Sequence, residues 1–285
     1  MGHETGRRRP DRCPGVLRPW PADDGLLVRL RLVGGRLGAA TLVELVSIAE
    51  QHGDGRVHLT SRANLQLRAL PADDCGQVPG DVVAAIEATG LLPSRSHELA
   101  RNIMVSPQSG LGGAGAVDLR PVATELDRLL CAAPVLAHLP GRFLFVLDDG
   151  RGDLLDRSCD LGLVALSPDE AQLRIGGGWG PVVPLASAAH ALVGLAGEFV
   201  TRRGNGPEAA WHVHELAEPL AETEVADGRL PARAPALVFG SVIGGVHVGV
   251  PGGVGASLAA EFATRADELI VTPWRGVLVP TQETR

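Results

Sequence analysis

One pattern occurs twice, more than 200 residues apart, and it limits the fold of this 285-residue chain more than any other feature. In the first copy, LLVRLRLVGG (26–35) alternates apolar and arginine residues and ends on a glycine pair. AATLVELVSIAEQHG (39–53) then has helical periodicity and stops at Gly53. GRVHLTSRANLQLRAL (55–70) returns to strand patterning, and GDVVAAIEATGLL (80–92) is a second helix. In the second copy, GGVHVGVPGG (244–253), ASLAAEFATRA (256–266) and ELIVTPWRGVLVP (268–280) repeat the order strand, helix, strand and lack the second helix. Gly34-Gly35 matches Gly252-Gly253, and Thr60 matches Thr272. A lone β-α-β unit buries too little apolar surface to stand by itself. The repeat therefore predicts two copies of one module, packed side by side through their strands as a pseudo-symmetric pair that extends one sheet.

A different block separates the copies. RNIMVS (101–106) reads as a strand, and PVATELDRLLCAA (121–133) as a helix with proline at its first position. GRFLFVLDDGRGD (141–153) is a strand that runs into an Asp-Gly turn. CDLGLVAL (159–166) and AQLRIGGGWGPVVPL (171–185) are further strands with a glycine-rich turn, and ASAAHALVGLAGEFVTRR (186–203) is a long helix. AAWHVHEL (209–216) leads into a proline-rich linker. The resulting division is an irregular arm at 1–25, the first copy at 26–95, a middle domain at 96–218, a linker at 219–235 and the second copy at 236–285.

Composition removes several chemistries. Every one of the 26 basic residues is arginine, and there is no tyrosine. No phosphate-loop lysine, Schiff-base lysine or tyrosine acid can exist here. Any bound anion must be held by arginine, histidine or backbone N–H groups, and arginine is the better fork for a carboxylate. The net charge of -7 offers no footprint for nucleic acid. The four cysteines, Cys13, Cys75, Cys131 and Cys159, form no close pair, so reduced thiols are expected. No apolar run follows the N-terminal arginines, and none approaches the roughly 20 residues of a membrane span. A soluble, cytoplasmic protein with no membrane partner is expected.

The chemistry-bearing stretch is HLTSRANLQLRAL (58–70). Read as one strand, it places Arg62, Asn64, Gln66 and Arg68 on one face, with Leu59, Leu65 and Leu67 on the other. That is the pattern of an exposed antiparallel strand, and equally of a groove that grips an anion. Arg101 and Asn102 add a second Arg-Asn pair at the head of RNIMVSP. Three other motifs are weaker. Gly110, Gly112 and Gly115 spell GxGxxG, but the strand before and the helix after lie too far off for a dinucleotide turn, so a plain loop is expected. His212 and His214 would share a strand face suited to a metal, with no third ligand written nearby. Asp148-Asp149-Gly150 reads as the hairpin turn.

HLTSRANLQLRAL resembles the strand motif of the nitrite/sulfite reductase ferredoxin-like half domain, and RNIMVSP resembles the start of that family's middle domain. CPGVLRPWPADDGLLVRLRLVGGRL and TPWRGVLVP are similar to the precorrin-3B synthase branch, which serves aerobic cobalamin synthesis. The resemblance implies an α+β fold, with two ferredoxin-like half-domains related by pseudo-symmetry around a mixed α/β middle domain. It implies a role for Arg62, Asn64, Gln66, Arg68, Arg101 and Asn102 in binding the carboxylates of a tetrapyrrole substrate. It also implies an oxidoreductase with a [4Fe–4S] cluster and an oxygen-dependent hydroxylation. The family's paired cluster cysteines have no counterpart among the four cysteines here, so no cluster is expected on this chain alone. A separate cluster-bearing chain or an electron donor becomes the expected partner. A non-catalytic tetrapyrrole-binding protein and a siroheme nitrite or sulfite reductase relative are the alternatives. The arginine groove predicts that Arg62, Arg68 and Arg101 converge on one cleft without carboxylate partners.

Overall fold

The stretch 58–70 does not run as one strand, because Thr60 breaks it. The Thr60 hydroxyl accepts the backbone N–H of Arg62 (3.3 Å) and of Asn64 (3.2 Å), and its carbonyl accepts that of Ala63 (3.2 Å). Ala63 takes the left-handed conformation, φ 55°. A threonine hydroxyl that captures nearby amides in this way competes with strand pairing. The second copy makes the same turn. There Thr272 accepts Gly276 N–H through its hydroxyl (3.3 Å) and Arg275 N–H through its carbonyl (3.2 Å), and Arg275 has φ 57°. Each single strand expected at this point is therefore a pair, and Arg62 and Asn64 leave the period-two face that Gln66 and Arg68 keep.

The computed structural model describes residue 11 and residues 13–281; the rest of the expected arm, 1–10 and 12, lies outside the described residues. The first copy comprises β1 (Trp20–Ala22), β2 (Gly25–Leu30), β3 (Arg36–Gly38), α1 (Ala39–His52), β4 (His58–Leu59), β5 (Leu65–Leu70) and α2 (Gly80–Ala88). β1 falls within the segment expected to be irregular. The strands form an antiparallel sheet in the order β1-β2-β5-β4, with β3 excluded. The middle domain comprises β6 (Ile103–Val105), α3 (Arg120–Ala132), β7 (Phe145–Asp148), β8 (Leu161–Ala165), β9 (Glu170–Ile175), β10 (Gly178–Pro184) and α4 (Leu185–Arg202). Its sheet runs β10-β9-β8-β7-β6, parallel from β6 to β8 and antiparallel beyond. The second copy comprises β11 (Gly240–Val242), β12 (Gly245–Gly249), α5 (Ala256–Arg265), β13 (Glu268–Val271) and β14 (Gly276–Pro280).

The second sheet has the order β11-β12-β14-β13, which repeats the first strand for strand. The copies lie side by side as expected, but not as one continuous sheet. Each lends the segment before its helix to the other. β3 pairs with the β13 edge, and Val254 exchanges two backbone hydrogen bonds with Val57 (2.9 and 2.8 Å). Gly35, at φ 74°, packs its α-carbon against the Val271 carbonyl, where any β-carbon would collide. The turns before the two helices close by equivalent bonds, Arg36 N–H to Val33 O and Gly253 N–H to Val250 O, both 3.1 Å. This makes Gly35 equivalent to Gly252 and Gly34 to Pro251, one step from the match read in the sequence.

The paired helices seal a common core. Leu42 and Leu45 of α1 and Phe262 of α5 are fully buried in one cluster with Leu65, Leu67, Leu269 and Val277. Each such side chain contributes about 2 kcal/mol by leaving water. The middle domain has its own core around Phe143, Phe145 and Phe199. It joins the first copy where Val33 bridges Ile103 and Gly34 N–H reaches Ile103 O (2.9 Å). Among the described residues, no helix is long and apolar enough to cross a membrane.

Candidate anion site

Burial alternates along β2: Leu26, Val28 and Leu30 point into the core, whereas Leu27 and Arg29 face outward. Gln66 of β5 stands opposite Arg29 in register. Arg31 follows on the same side, and the Thr60 turn brings Arg62 to this end of the sheet. The middle domain closes over the group with Arg142, whose carbonyl accepts Arg62 Nη1 (2.9 Å) and whose guanidinium lies 5.1 Å from the Trp211 ring centre.

The arginines are under-satisfied. Arg31 is 3% exposed; its Nε donates to Asn102 Oδ1 (3.1 Å) and its Nη1 to Pro14 O (3.3 Å), while its Nη2 is buried with no acceptor among the described residues. Arg29 Nε is also buried without one. Burial lowers the pKa of Arg29, and the charges of Arg62 and Arg142 lower it further. Burial brings that of Arg31 down to about 10, with Arg29 adding to the effect. The Cys13 thiol is pushed up by burial and by Asp11, against the pull of Arg31, Arg29 and Arg62. Like charges gathered around donors that lack acceptors favour an incoming anion. Such forks suit a carboxylate.

The residues singled out in the sequence divide between this cluster and its supports. Arg62 and Gln66 belong to it. Asn64 and Asn102 are fully buried beneath it. Asn64 Oδ1 accepts Leu32 N–H (2.9 Å), and its Nδ2 donates to Asn102 Oδ1 (3.2 Å). Asn102 Nδ2 donates to the carbonyls of Gly141 (2.9 Å) and Phe143 (3.1 Å). The two asparagines form a joint that aims Arg31 and locks the first copy to the middle domain. Arg68 is paired with Asp24 (3.0 Å). Arg101 is held bidentately by Asp127 (2.6 and 2.9 Å) and lines a cavity of about 290 Å³ with Arg36, Arg120 and Glu268. The expected convergence of Arg62, Arg68 and Arg101 is thus corrected: Arg68 and Arg101 each face a carboxylate of their own. The alternating arginines of LLVRLRL were a visible signal for Arg29 and Arg31; Arg142 carried none.

The remaining motifs are structural. WHVH is not a strand: Val213–Glu215 is a turn of 3-10 helix. The His212 and His214 rings stack at 5.4 Å, and His212 Nδ1 lies 3.1 Å from Asp160. Asp148 closes its turn by accepting the N–H groups of Gly150, Gly152 and Leu154. Asp148, Asp149 and Asp153 form the one close group of metal-type side chains among the described residues. Arg151 neutralises Asp149, and burial together with Asp148 pushes the Asp153 carboxyl to about 7. The cysteines occupy separate elements: the segment before β1, an exposed loop, α3 and the approach to β8. No close group among the described residues includes a cysteine, so these four thiols do not fit a [4Fe–4S] cluster.

Residues 21–79 match the nitrite/sulfite reductase ferredoxin-like half domain. Over 141 residues the chain is 36% identical to a precorrin-3B synthase from Sinorhizobium sp, which is 48% of this chain and 28% of that protein. A ferredoxin--nitrite reductase from Leptolyngbya laminosa is 28% identical over 146 residues, 49% of this chain and 28% of that one. A ferredoxin--nitrite reductase from Synechococcus elongatus is 31% identical over 131 residues, 44% and 25% respectively. The chain thus aligns with little more than a quarter of these relatives. In fold, the NirA protein of Mycobacterium tuberculosis superposes on 98% of this chain and 61% of its own, with TM-score 0.70 and 18% identity. Residues 21–79 are accordingly similar to a nitrite/sulfite reductase ferredoxin-like half domain, and the chain shares the fold of the NirA protein.

Proposed function

We propose that this chain is a precorrin-3B synthase-like protein of cobalamin synthesis, and that it holds an anionic tetrapyrrole against the arginine cluster. The observation that carries the reading is the pair of buried guanidinium nitrogens, Arg29 Nε and Arg31 Nη2, that lack acceptors. A tetrapyrrole bearing several carboxylates supplies acceptors at the spacing of a macrocycle rim. Arg29, Arg31, Arg62 and Arg142 take its carboxylates, Gln66 donates beside Arg29, and the Asn64–Asn102 joint holds Arg31 in aim. The four thiols do not meet, so no redox step is assigned to this chain's own residues. Electrons for an oxygen-dependent hydroxylation come, in this reading, from a donor or cluster-bearing partner. The likeness to ferredoxin--nitrite reductases favours a second reading, in which the same cluster serves a siroheme protein acting on a small anion.

Fluorescence titration with uroporphyrin, an octacarboxylate, tests the first reading. Binding in the micromolar range that is lost in Arg62→Glu and Arg142→Glu is expected. Equal weakening by a charge reversal on an exposed helix, such as Arg128→Glu on α3, would reduce the effect to net charge and sink the site. Tight binding of nitrite or sulfite with none of the porphyrin would favour the second reading.

A further inference from the structure

One carboxylate of the chain itself already lies at the edge of the cluster. Asp11 Oδ2 accepts the backbone N–H of Gly141 (2.6 Å), and its Oδ1 accepts that of Cys13 (3.0 Å). Arg18 and Arg142 approach the same carboxylate at 3.8 Å. Gly141 also lies close to Arg31 Nη2, the buried nitrogen with no acceptor among the described residues. A β-carbon there would lie 3.3 Å from Asp11 Oδ2, 3.5 Å from Arg31 Nη2 and 2.6 Å from Cys13 Cβ. The rest of the segment is tied down a few residues later. Glu98 accepts the N–H groups of Val16 (2.6 Å) and Leu17 (3.2 Å), and its carboxylate fills the space beside Gly15. The anchor therefore sits at residues 15–17. Ahead of the anchor, Asp11 keeps the bonds just described, Cys13 O accepts Arg18 Nη2 (2.9 Å) and Pro14 O accepts Arg31 Nη1 (3.3 Å). Two of these ties, to Arg31 and Arg142, use groups that an incoming carboxylate would claim.

We infer that Asp11 is an internal stand-in for a ligand carboxylate, so that loading the arginine cluster displaces Asp11 and uncovers Cys13. The inference rests on the anion-site reading above and adds an internal competitor to it. An occupied site must be vacated before ligand enters, so the measured affinity of the intact chain is reduced by the fraction of molecules in which Asp11 is seated. Neutralising Asp11 removes the competitor. It leaves Glu98, the sheet and the arginines untouched.

The test is uroporphyrin affinity and Cys13 alkylation in the full chain, with Cys75→Ser present to remove the exposed thiol. Asp11→Asn should bind uroporphyrin about tenfold tighter than the parent, a coupling of ordinary size. Asp11→Glu, which keeps the charge, should stay near the parent. Glu44→Gln, an exposed neutralisation on α1, should gain less than about twofold, which is the share due to net charge. Saturating uroporphyrin should speed iodoacetamide labelling of Cys13, located by peptide mapping. An Asp11→Asn variant no tighter than Glu44→Gln would overturn the inference, as would labelling that saturating ligand leaves unchanged or slows. An equal gain in Asp11→Glu would do the same. If the parent binds and Arg142→Glu does not, a failure of Asp11→Asn removes the stand-in and leaves the site. If neither the parent nor Asp11→Asn binds, the site reading itself fails and takes the stand-in with it.

Discussion

The two half-domains share strand order, threonine turn and packing of one helix against the other, yet their outward faces are opposites. Counting from each turn, Gln66 pairs with Arg29 in the first copy and Leu278 with His247 in the second. His247 therefore stands where Arg29 does, Trp274 where Arg62 does and Gly276 where Asn64 does. The first face is charged and short of acceptors. The second satisfies itself. His247 Nδ1–H donates to Val238 O (3.0 Å), its Nε2 accepts the Thr272 hydroxyl (2.9 Å), and the Phe239 ring tilts over it at 4.6 Å. Gly276 is needed there, because a β-carbon would run into both rings. One backbone thus carries an arginine cluster on one copy and a closed ring stack on the other, and the side chains at three equivalent positions make the difference.

Charge reversal should expose that difference most strongly. Arg29→Glu should weaken uroporphyrin binding about a hundredfold, since each lost charge-assisted contact is worth roughly 1.5–3 kcal/mol. His247→Gln at the equivalent position should change it less than about twofold. A comparable loss in both would mean the two faces are not functionally distinct.

Next in size is the joint. Asn102→Ala removes the acceptor of Arg31 Nε and Asn64 Nδ2 and the donor to three carbonyls, and should cost about 2–3 kcal/mol in urea unfolding. On the second copy, Gly276→Ala should cost about 1–3 kcal/mol by overpacking. Wild-type stability in either variant would show that the corresponding face is not held as described.

A smaller effect of opposite sign is expected from Arg29→Met. Replacing a half-buried guanidinium whose Nε lacks an acceptor with an apolar side chain should raise ligand-free stability by about 1 kcal/mol while abolishing binding. A drop in stability would show that Arg29 has an acceptor in solution.

The smallest effect concerns pH. Burial lowers the pKa of His247, against the pull of its backbone acceptors. A lowered histidine gives stability that is whole above its unfolded value, near 6.5, and is lost as pH falls through the folded value. The parent chain should therefore lose a component of stability between pH 7 and pH 5 that His247→Gln does not lose. Identical pH profiles would remove the claim that this ring is held neutral.

The sequence by itself determined the repeat, the helices and the middle sheet, because those follow from local periodicity and from glycine and proline punctuation. It also marked the Arg-Asn pairs of SRANLQLR and RNIMVSP as unusual, while the arginines of LLVRLRL read only as strand alternation. It did not reveal that Thr60 and Thr272 fold their strands back, since a hydroxyl that captures two amides disturbs only a few residues and leaves the apolar alternation intact. The resemblance named Arg62, but nothing in the sequence separated it from Asn64 and Asn102, which form the joint beneath it, or from Arg101, which Asp127 holds. Those partners are contributed by distant segments. The tertiary structure decided the site by bringing β2, the Thr60 turn, Arg142 and Asp11 to one place. Whether an arginine is a ligand group or half of an ion pair depends on which carboxylate the fold sets beside it.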